Sequence, residues 1–292
     1  KFEMINKMSV EKVAAVSLSC QTLDVSRSGY YSWLERPESE RQQQNAVLLE
    51  RIRVIHAKSD ETYGSPRVTE DLRADGVIVN EQRVARIMRE NDIASQTVKK
   101  FKITTTDSNH DLPIADRIFE TKHAECVMAP NQVWSGDITY IATEEGWLFL
   151  AVFMDIFTRK IVGFSCDDNM ETELILNALE MALGRQAVED GQLIAHSDRG
   201  SQYASEKFSK RLRLAGIIAS MSRKGNCWDN AHVESFFHSL KTELVYRRNF
   251  KTREEAKQAI FKWIETWYNR ERRHSALEYM SPIEYEKLAL AS

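Results

Sequence analysis

The chain has 292 residues, of which 42 % are hydrophobic and only 5 are proline, so it can form a sizeable core shared among two or three small domains. Its formal net charge of −3 argues against non-specific binding of nucleic acid through overall charge. Four widely spaced cysteines without a C-x-x-C pair argue against a disulfide framework or a structural zinc site. No signal peptide is visible and no apolar run approaches the ~18 residues that a membrane span needs, so we expect a cytoplasmic protein with no membrane partner.

The charges are distributed unevenly along the chain. Residues 131–198 contain 12 Asp and Glu against 3 Lys and Arg, whereas residues 222–274 contain 12 Lys and Arg against 7 Asp and Glu. An acidic segment beside a basic helical one is expected if the first recruits cations and the second contacts phosphates. Ordinary solvated surface charge is the alternative interpretation for any single residue of the basic segment.

Residues 1–40 are predicted to form a helix-turn-helix-like N-terminal segment. Within residues 9–37, two short helices separated by a turn fit the pattern, and Ser26 is a suitable N-cap for the second helix. Helical hairpins of this kind are common, so the pattern is compatible with DNA binding and also with a purely structural hairpin.

Residues 41–98 are predicted to form a helical DNA-binding domain of three helices, with Asn80 as the N-cap of the third. Arg83, Arg86 and Arg89 recur at three-residue steps on the outer side of that helix. This spacing is suited to phosphates or to a groove of DNA. A solvated helix face balanced by nearby glutamates is the alternative interpretation.

Residues 99–130 show no periodicity and are predicted to form an extended linker, whose four-residue basic start is suited to tracking a DNA backbone. Residues 131–245 are then predicted to form the core, in the order strand, strand, strand, helix, strand, helix, short strand, helix. This alternation indicates a mixed α/β layer. Residues 246–292 are predicted to form a C-terminal helical region.

The first strand of the core carries a charge on its polar face. Residues 131–141 alternate in polarity, which places Ser135, Asp137 and Thr139 on one face. A charge in the middle of a strand is costly unless it is paired or bound to a metal, so Asp137 is a candidate metal ligand. Asp155 ends the second strand and is expected either to stabilise the following turn or to support the site from behind.

Two further carboxylates are distinguished by their context. Asp198 follows a short apolar run bounded by glycines, which predicts an aspartate at the carboxyl end of a buried strand. Glu234 lies in a helical pattern whose apolar residues fall on one face. Asn230, His238 and Lys241 can share the other face with Glu234, an arrangement suited to a helix laid beside phosphates.

Three sequence blocks resemble the integrase-type catalytic core of bacterial insertion-sequence transposases, and more specifically the second-reading-frame product of the IS3 family. The blocks are W-x-x-D-I-T-Y at 134–140, H-S-D-x-G-S-Q-Y at 196–203 and S-x-x-G-x-x-x-D-N-A-x-x-E-S-F-F-x-x-L-K-x-E at 222–243. Residues 63–67 and 79–89 are similar to the helical domain that precedes this core in the family. Residues 268–277 resemble the family's terminal signature.

The resemblance implies an α/β, ribonuclease-H-like core with N-terminal helical DNA-binding domains and a C-terminal helical arm. The catalytic and metal-binding carboxylates that it implies are Asp137, Asp198 and Glu234. In the terminal block, Arg272 and Arg273 both precede His274, so either arginine can match the family's. Arg273 and His274 are our candidate DNA contacts in this block.

Three carboxylates in one place repel one another and raise one another's pKa unless divalent cations neutralise them. Mg²⁺ prefers oxygen ligands and keeps positions for water and phosphate oxygens, and Mn²⁺ is expected to substitute for it. Two ions about 3.5–4 Å apart would polarise the phosphate, activate water or a 3′-hydroxyl, and stabilise the leaving oxygen. We therefore predict DNA cleavage and strand transfer at insertion-sequence ends. The residues expected to contact the DNA backbone beside the ions are Lys241, Asn230 and His196.

The expected partners are the terminal inverted repeats of an insertion sequence, target DNA, and further copies of the chain assembled on DNA. The product of the upstream reading frame is a further expected partner, because a fusion of both frames is often the active form in the family. A DNA-binding regulator with an inactive core and a plain metal-dependent nuclease are the competing hypotheses. Three intact carboxylates argue against the regulator, and joining of DNA ends would distinguish a transposase from a nuclease.

Overall fold

The N-terminal part of the chain folds as three short helices. The computed structural model describes residues 1–37, 39–96, 113–119, 126–222 and 230–291. Helices α1 to α3 span Phe2–Val10, Val16–Thr22 and Arg27–Leu34. Ser26 caps α3 as predicted, because its side-chain oxygen accepts a hydrogen bond from the Gly29 N–H at 3.0 Å. The buried side chains of Ile5, Cys20 and Tyr30 join the three helices in a small core.

The three helices predicted next are confirmed. Helices α4 to α6 span Glu40–Lys58, Ser65–Ala74 and Glu81–Glu90. Asn80 caps α6 by accepting a hydrogen bond from the Arg83 N–H at 2.8 Å, and Ser39 begins α4 with a capping box. The apolar stripes of the three helices meet in one core, which includes Leu48, Ile52, Ile55, Val68, Leu72, Val84, Ile87 and Met88.

A five-stranded mixed sheet forms the centre of the next domain. Strands β1 to β5 span Val133–Thr143, Gly146–Asp155, Ile161–Asp167, Ile194–Ser197 and Ile218–Met221. Their order across the sheet is β3-β2-β1-β4-β5. Strands β1, β2 and β3 pair antiparallel, whereas β4 pairs parallel with both β1 and β5. The central position of β1 brings its residues next to both halves of the sheet.

Helices cover both faces of the sheet. Helix α7 (Thr172–Arg185) and helix α8 (Glu206–Leu214) pack on one face, in a core built around Trp134 and Phe153. Helix α9 (Ala231–Glu243) and helix α10 (Arg253–Lys262) pack on the other face, around Leu150 and Phe236. The predicted order of strands and helices in the core is confirmed.

The turn between β2 and β3 depends on Asp155, whose carboxylate accepts three hydrogen bonds. The Thr158 N–H and hydroxyl each donate to Oδ1 at 2.8 Å, and the Asn131 N–H donates to Oδ2 at 2.7 Å. Burial raises the pKa of Asp155, and these three hydrogen bonds offset part of the cost of burying its carboxylate at the turn. The turn-stabilising role predicted for Asp155 is confirmed.

The described part of the predicted linker, residues 113–119 and 126–130, contains a segment that lies against the edge of the sheet. The N–H groups of Ile118 and Phe119 both donate to the Ser220 hydroxyl at 3.1 Å, and Phe119 is buried. The basic start of the linker lies outside the described residues.

The C-terminal residues connect the core to the helical domain. A π-helical segment, Trp263–Tyr268, follows α10, and helix α11 spans Pro282–Ala291. The ring centroid of Trp267 lies 5.5 Å from that of Tyr63 in the helical domain. Among the described residues, no helix is both long enough and apolar enough to cross a membrane.

The contact between β3 and α7 gives a test of this packing. A Cβ atom on Gly163 would overlap the Ala178 carbonyl oxygen and lie 2.7 Å from the Ala182 nitrogen, so Gly163→Ala must push the helix away from the sheet. We expect it to lower the free energy of unfolding by about 1–3 kcal/mol in a urea titration.

Gly184→Ala in α7 is the matched control, because a Cβ atom there meets nothing within 4 Å. Alanine is the better helix former, so this change should raise the free energy of unfolding by about 0.5–1 kcal/mol. Equal effects of the two substitutions would contradict the close approach of α7 to β3.

Candidate active site

Two aspartates lie side by side because β1 and β4 are parallel neighbours. Gly136 of β1 pairs with Ser197 of β4, so the next residues along the two strands are Asp137 and Asp198. Neighbouring strands lie about 4.8 Å apart, which sets the spacing of the two backbones at this point. Strand β4 ends here whereas β1 continues, and a crevice opens at the carboxyl end of β4. Crevices at this position are where open α/β sheets bind ligands.

The crevice is small and its carboxylates are held by the local backbone. The Ile138 N–H donates to Asp137 Oδ1 at 2.8 Å, and the Gly200 N–H donates to Asp198 Oδ1 at 2.9 Å. The cavity between the aspartates has a volume of about 20 Å³ and is also lined by Tyr203. That volume is enough for one water-sized species.

The carboxylates repel one another across the crevice. Burial and then the neighbouring Asp198 raise the pKa of Asp137 well above its ordinary value of 3.8, and Glu234 raises it further. The Lys241 ammonium acts in the opposite direction on this pKa. The site therefore has an excess of negative charge that a cation would neutralise.

Glu234 approaches the site from the first turn of α9. The apolar face predicted for this helix is confirmed, since Val233, Phe236, Phe237 and Leu240 are all buried against the sheet. Glu234 itself is exposed and acts on Asp137 electrostatically. In the parts of the chain that the structure describes, no three His, Cys, Asp or Glu side chains lie close enough together to hold a metal ion. Asp137 and Asp198 thus form the nearer pair, with Glu234 as a more distant third carboxylate.

The chemistry of this donor set fits a hard divalent cation. All three side chains offer carboxylate oxygens, the ligands that Mg²⁺ prefers. The two aspartates are only partly buried, so ions and water can reach them from the crevice. Burial and then Asp198 raise the pKa of Asp137, and the opposing effect of the Lys241 ammonium does not cancel them.

Asn230 joins the start of α9 to the middle of β1. Its side-chain oxygen accepts a short hydrogen bond from the Ser135 hydroxyl, and its amide donates to the Gly136 carbonyl at 3.3 Å. Asn230 is only 7 % exposed. Through these contacts Asn230 helps to position Glu234 near Asp137. The contact with DNA that was predicted for Asn230 remains a prediction, and the burial of Asn230 does not favour it.

Lys241 lies beside the acidic site, as the helical spacing predicted. Its ammonium nitrogen is 4.8 Å from the centre of the Tyr140 ring. Burial lowers the pKa of Lys241 while Asp137 raises it. A cation held at this point is suited to a phosphate that approaches the carboxylates.

His196 is fully buried on β4. Its Nδ1 lies 3.0 Å from the Ser220 hydroxyl oxygen, and its ring packs edge-on against Phe119 at 5.4 Å between ring centroids. The residue therefore packs the linker segment onto the sheet. Its predicted contact with the DNA backbone remains a prediction that its burial does not favour.

The three arginines predicted on the outer side of α6 have different surroundings. Arg83 donates twice to the Asn45 side-chain oxygen of α4, at 2.9 and 2.8 Å, and Arg86 pairs with Glu90 at 3.3 Å. Arg89 is exposed, and its guanidinium group makes no hydrogen bond or ion pair with another described residue. Arg89 is thus the most accessible of the three predicted DNA contacts.

The candidate residues of the terminal block lie in contacts within the protein. Arg273 pairs with Asp71 of α5 at 2.5 Å, and Arg272 is buried in a bidentate pair with Glu243. Burial and then Arg272 lower the pKa of His274 to about 2, so its imidazole is neutral. These contacts account for the residues structurally, and DNA binding by Arg273 and His274 remains a prediction.

The sequence block that contains Tyr203 predicts no role for this residue, yet it lines the crevice. It is 2 % exposed, and its hydroxyl makes no hydrogen bond with any described residue. Burial, then Asp137, then Asp198, raise its pKa well above the ordinary value, so the hydroxyl keeps its proton. Its position within H-S-D-x-G-S-Q-Y was the only signal in the sequence, and periodicity does not predict that it faces the carboxylates.

The link between Asn230 and Ser135 can be tested with a double-mutant cycle. Asn230→Ala leaves the buried Ser135 hydroxyl without its acceptor and should lower the free energy of unfolding by about 1–3 kcal/mol. Adding Ser135→Ala should cost less than the sum of the two single changes, with a coupling of about 0.5 kcal/mol or more. Strictly additive effects would show that the two side chains do not interact.

Repulsion at the crevice predicts that Asp137→Asn stabilises the metal-free protein. A raised pKa in the folded state means that stability falls as the pH rises from the ordinary value of 3.8 through the folded value, and stays lower above it. Asparagine removes this penalty at pH 7, and a gain of about 1 kcal/mol would raise the Tm by roughly 2–4 °C. Thermal unfolding in EDTA measures the difference.

In the same experiment, Mg²⁺ should raise the Tm of the parent protein more than that of Asp137→Asn, because the variant has lost a carboxylate ligand. Asp190→Asn removes an exposed aspartate elsewhere and should match the parent under both conditions. A variant that melts below the parent in EDTA would contradict the repulsion.

Three family models match the chain. An integrase core domain matches residues 128–227, an HTH-like domain matches residues 42–101, and a second integrase core domain matches residues 215–282. The first of these contains Asp137 and Asp198, and the last contains Glu234. The matches agree with the helical domain and the core described above.

Among solved structures, the chain is similar to the simian T-cell lymphotropic virus intasome in complex with the PP2A regulatory subunit B56 gamma. The TM-score is 0.47 at 15 % identity, over 80 % of this chain and 74 % of that chain. It is also similar to the HTLV-2 integrase catalytic core domain in complex with magnesium, in its trimeric form. There the TM-score is 0.42 at 17 % identity, over 55 % of this chain and 98 % of that one.

Two relatives match over nearly the whole chain. The insertion element IS600 uncharacterized 31 kDa protein of Shigella sonnei is 44 % identical over 268 residues, which cover 92 % of this chain and 97 % of that protein. The transposase InsF for insertion sequence IS3A of Escherichia coli (strain K12) is 38 % identical over 293 residues, with 100 % of both chains covered. The chain therefore belongs to the IS3 family of insertion-sequence transposases, and its core is an integrase-type, ribonuclease-H-like domain.

Proposed function

We propose that this protein is a polynucleotidyl transferase that cuts DNA at the ends of an insertion sequence and joins the freed ends to target DNA. The observation that supports this most directly is the register of β1 and β4, which sets Asp137 and Asp198 side by side at the mouth of a crevice. Glu234, on the helix that packs over the same sheet, adds a third negative charge that acts on Asp137.

In this proposal Asp137, Asp198 and Glu234 hold two Mg²⁺ ions, which Mn²⁺ can replace. When bound, the ions supply Lewis-acid polarisation of the scissile phosphate and an activated water or 3′-hydroxyl. Asp137 and Asp198 are fixed by adjacent strands and need little movement to share a ligand. Glu234 lies farther away and completes the set from α9.

The other residues of the crevice position the substrate. Lys241 places a positive charge beside the carboxylates, where it can contact a phosphate oxygen. The Tyr203 hydroxyl keeps its proton and can donate a hydrogen bond into the crevice. Because water and a DNA 3′-hydroxyl are interchangeable nucleophiles for such a site, no covalent bond between protein and DNA is needed.

The partners in this proposal are the terminal inverted repeats of the insertion sequence and the target DNA. Several copies of the chain would assemble on the two ends, together with the product of the upstream reading frame. Arg89 of α6 is exposed and is our first candidate for a contact between the helical domain and DNA. Since the substrate is bacterial DNA, we place the activity at the nucleoid in the cytoplasm.

The test is a strand-transfer assay on labelled insertion-end DNA with Mg²⁺, in the presence of the upstream-frame product. We expect Glu234→Gln to lower the rate of joining about 100-fold or more, a loss of about 2.7 kcal/mol in transition-state stabilisation. DNA binding, measured separately by gel shift, should be retained, because glutamine keeps the shape of the side chain. Asp137→Asn and Asp198→Asn should behave in the same way.

Glu189→Gln is the matched control, because Glu189 is exposed and lies in the loop before β4, away from the crevice. It should join DNA at the rate of the parent. Joining by Glu234→Gln at the parent rate would overturn the three-carboxylate assignment. Cutting without joining by the parent would instead support a plain nuclease.

A further inference from the structure

A second pocket lies on α9, away from the carboxylates. It has a volume of about 320 Å³ and is lined by α9 and by residues from three other parts of the chain. Arg67 comes from α5 of the helical domain, Arg159 from the turn between β2 and β3, and Arg272 from the C-terminal segment. We call it the α9 basic pocket; its other polar lining residues are His232, Ser235, Ser239, Tyr268, His274 and Ser275.

Positive charge in this pocket exceeds negative charge. Arg272 donates to both carboxylate oxygens of Glu243 at 3.0 Å, and Arg67 lies 3.9 Å from the same carboxylate. Glu243 is thus shared by two arginines. The Arg159 guanidinium makes no hydrogen bond or ion pair with any described residue. Three guanidinium groups therefore line the pocket, whereas Glu243 is paired with only two of them and Asp155 acts on Arg159 electrostatically.

The histidines of the pocket respond to this excess. Burial and then Arg159 lower the pKa of His232 to about 4. Burial, then Arg272, Arg67 and Arg159, lower the pKa of His274 to about 2. Both imidazoles are therefore neutral at physiological pH. The His232 Nε2 atom is buried and has no hydrogen-bond partner among the described residues.

These features are those of a site for an anion with several oxygens. Guanidinium groups bind phosphate oxygens through paired N–H donors, and a neutral imidazole can donate one more hydrogen bond. The Ser235 and Ser239 hydroxyls at the wall of the pocket are further donors. A tetrahedral phosphoryl group can use donors that converge from several directions, as these do.

The position of the pocket on α9 relates it to the carboxylates. His232, Ser235 and Ser239 lie on one side of the helix, whereas Glu234 and Lys241 fall on the opposite side at 100° per residue. A helix is about 10–12 Å across with its side chains, which matches about three nucleotides at 3.4 Å of rise each. A DNA strand that crosses α9 can therefore reach both sides.

We propose that the α9 basic pocket binds a backbone phosphate of DNA, at a distance of about one helix diameter from the carboxylates. It thereby links the helical domain, the core and the C-terminal segment to one strand of the substrate. The inference rests on the proposed function only in that the phosphate belongs to DNA.

The test uses the full chain in EDTA, so that binding is measured without catalysis. We expect Arg159→Gln to weaken binding of a labelled random-sequence duplex about tenfold, and to reduce the slope of log K against log salt by about 0.9. Fluorescence anisotropy across a KCl series gives both values. Arg159→Lys, which keeps the charge, should recover most of the salt slope.

Arg213→Gln is the control, because it removes one exposed arginine of α8 whose guanidinium group makes no hydrogen bond or ion pair with a described residue. It should bind the duplex as the parent does. Ser235→Glu provides a second test at an exposed position where folding is not at risk. It brings a carboxylate to the pocket and should weaken binding at least as much as Arg159→Gln.

A thermal shift with inorganic phosphate distinguishes the two sources of the phosphoryl group. Phosphate should raise the Tm of the parent but not that of Arg159→Gln. If phosphate stabilises the parent while Arg159→Gln and Ser235→Glu bind the duplex normally, the pocket binds an anion that is not DNA, and the proposal is wrong. If neither phosphate nor DNA distinguishes these variants from the parent, the pocket is not an anion site.

These outcomes are independent of the strand-transfer assay. Joining of DNA by Glu234→Gln at the parent rate would contradict the proposed function. The anisotropy results on the α9 basic pocket would still hold. If Arg213→Gln weakens duplex binding as much as Arg159→Gln does, the effect is one of general charge. That result would contradict phosphate binding by the α9 basic pocket.

Discussion

The parallel pairing of β1 with β4 is the interaction on which the site depends. It sets two carboxylates of like charge next to each other, and burial together with the charge of Asp198 raises the pKa of Asp137 well above its ordinary value. A folded protein can tolerate such repulsion where a bound cation supplies the compensating positive charge. The surrounding contacts keep the pair in place, since large apolar cores pack on both faces of the sheet that contains β1. The favourable packing of the sheet offsets the electrostatic repulsion between the two aspartates.

Helix α9 connects this acidic crevice with the rest of the protein. Its buried face fixes it on the sheet, and Asn230 at its start is bonded to β1 next to Asp137. One exposed side presents Glu234 to the crevice, while another forms the wall of the α9 basic pocket. The crevice is acidic and the α9 basic pocket is basic. This arrangement suits a polyanion that lies across the helix, with one phosphate in the pocket and another beside metal ions that the carboxylates would hold. The salt bridge between Arg273 and Asp71 and the contact of Trp267 with Tyr63 hold the helical domain against this region.

Much of the local structure could be predicted because it depends on neighbours in sequence. The caps at Ser26 and Asn80 and the turn at Asp155 were predicted from one or two side chains each and are confirmed. Predicted contacts with DNA depend on surroundings that periodicity does not give, and they stay predictions. Asn230 and His196 were expected at the DNA backbone, but both are buried and bonded within the chain. Polarity at a given spacing shows that a residue needs a partner, and it does not show whether that partner is DNA or another part of the protein.

The sequence by itself determined the order of strands and helices, the polar face of β1 that carries Asp137, and the exposed face of α9 that carries Glu234. These follow from periodicities of two and 3.6 residues, which are properties of short segments. Only the tertiary structure decided that residue 137 lies beside residue 198, because that register is set by pairing between strands about 60 residues apart. The α9 basic pocket was likewise decided by tertiary structure alone. Its arginines come from residues 67, 159 and 272, and no local pattern encodes their meeting.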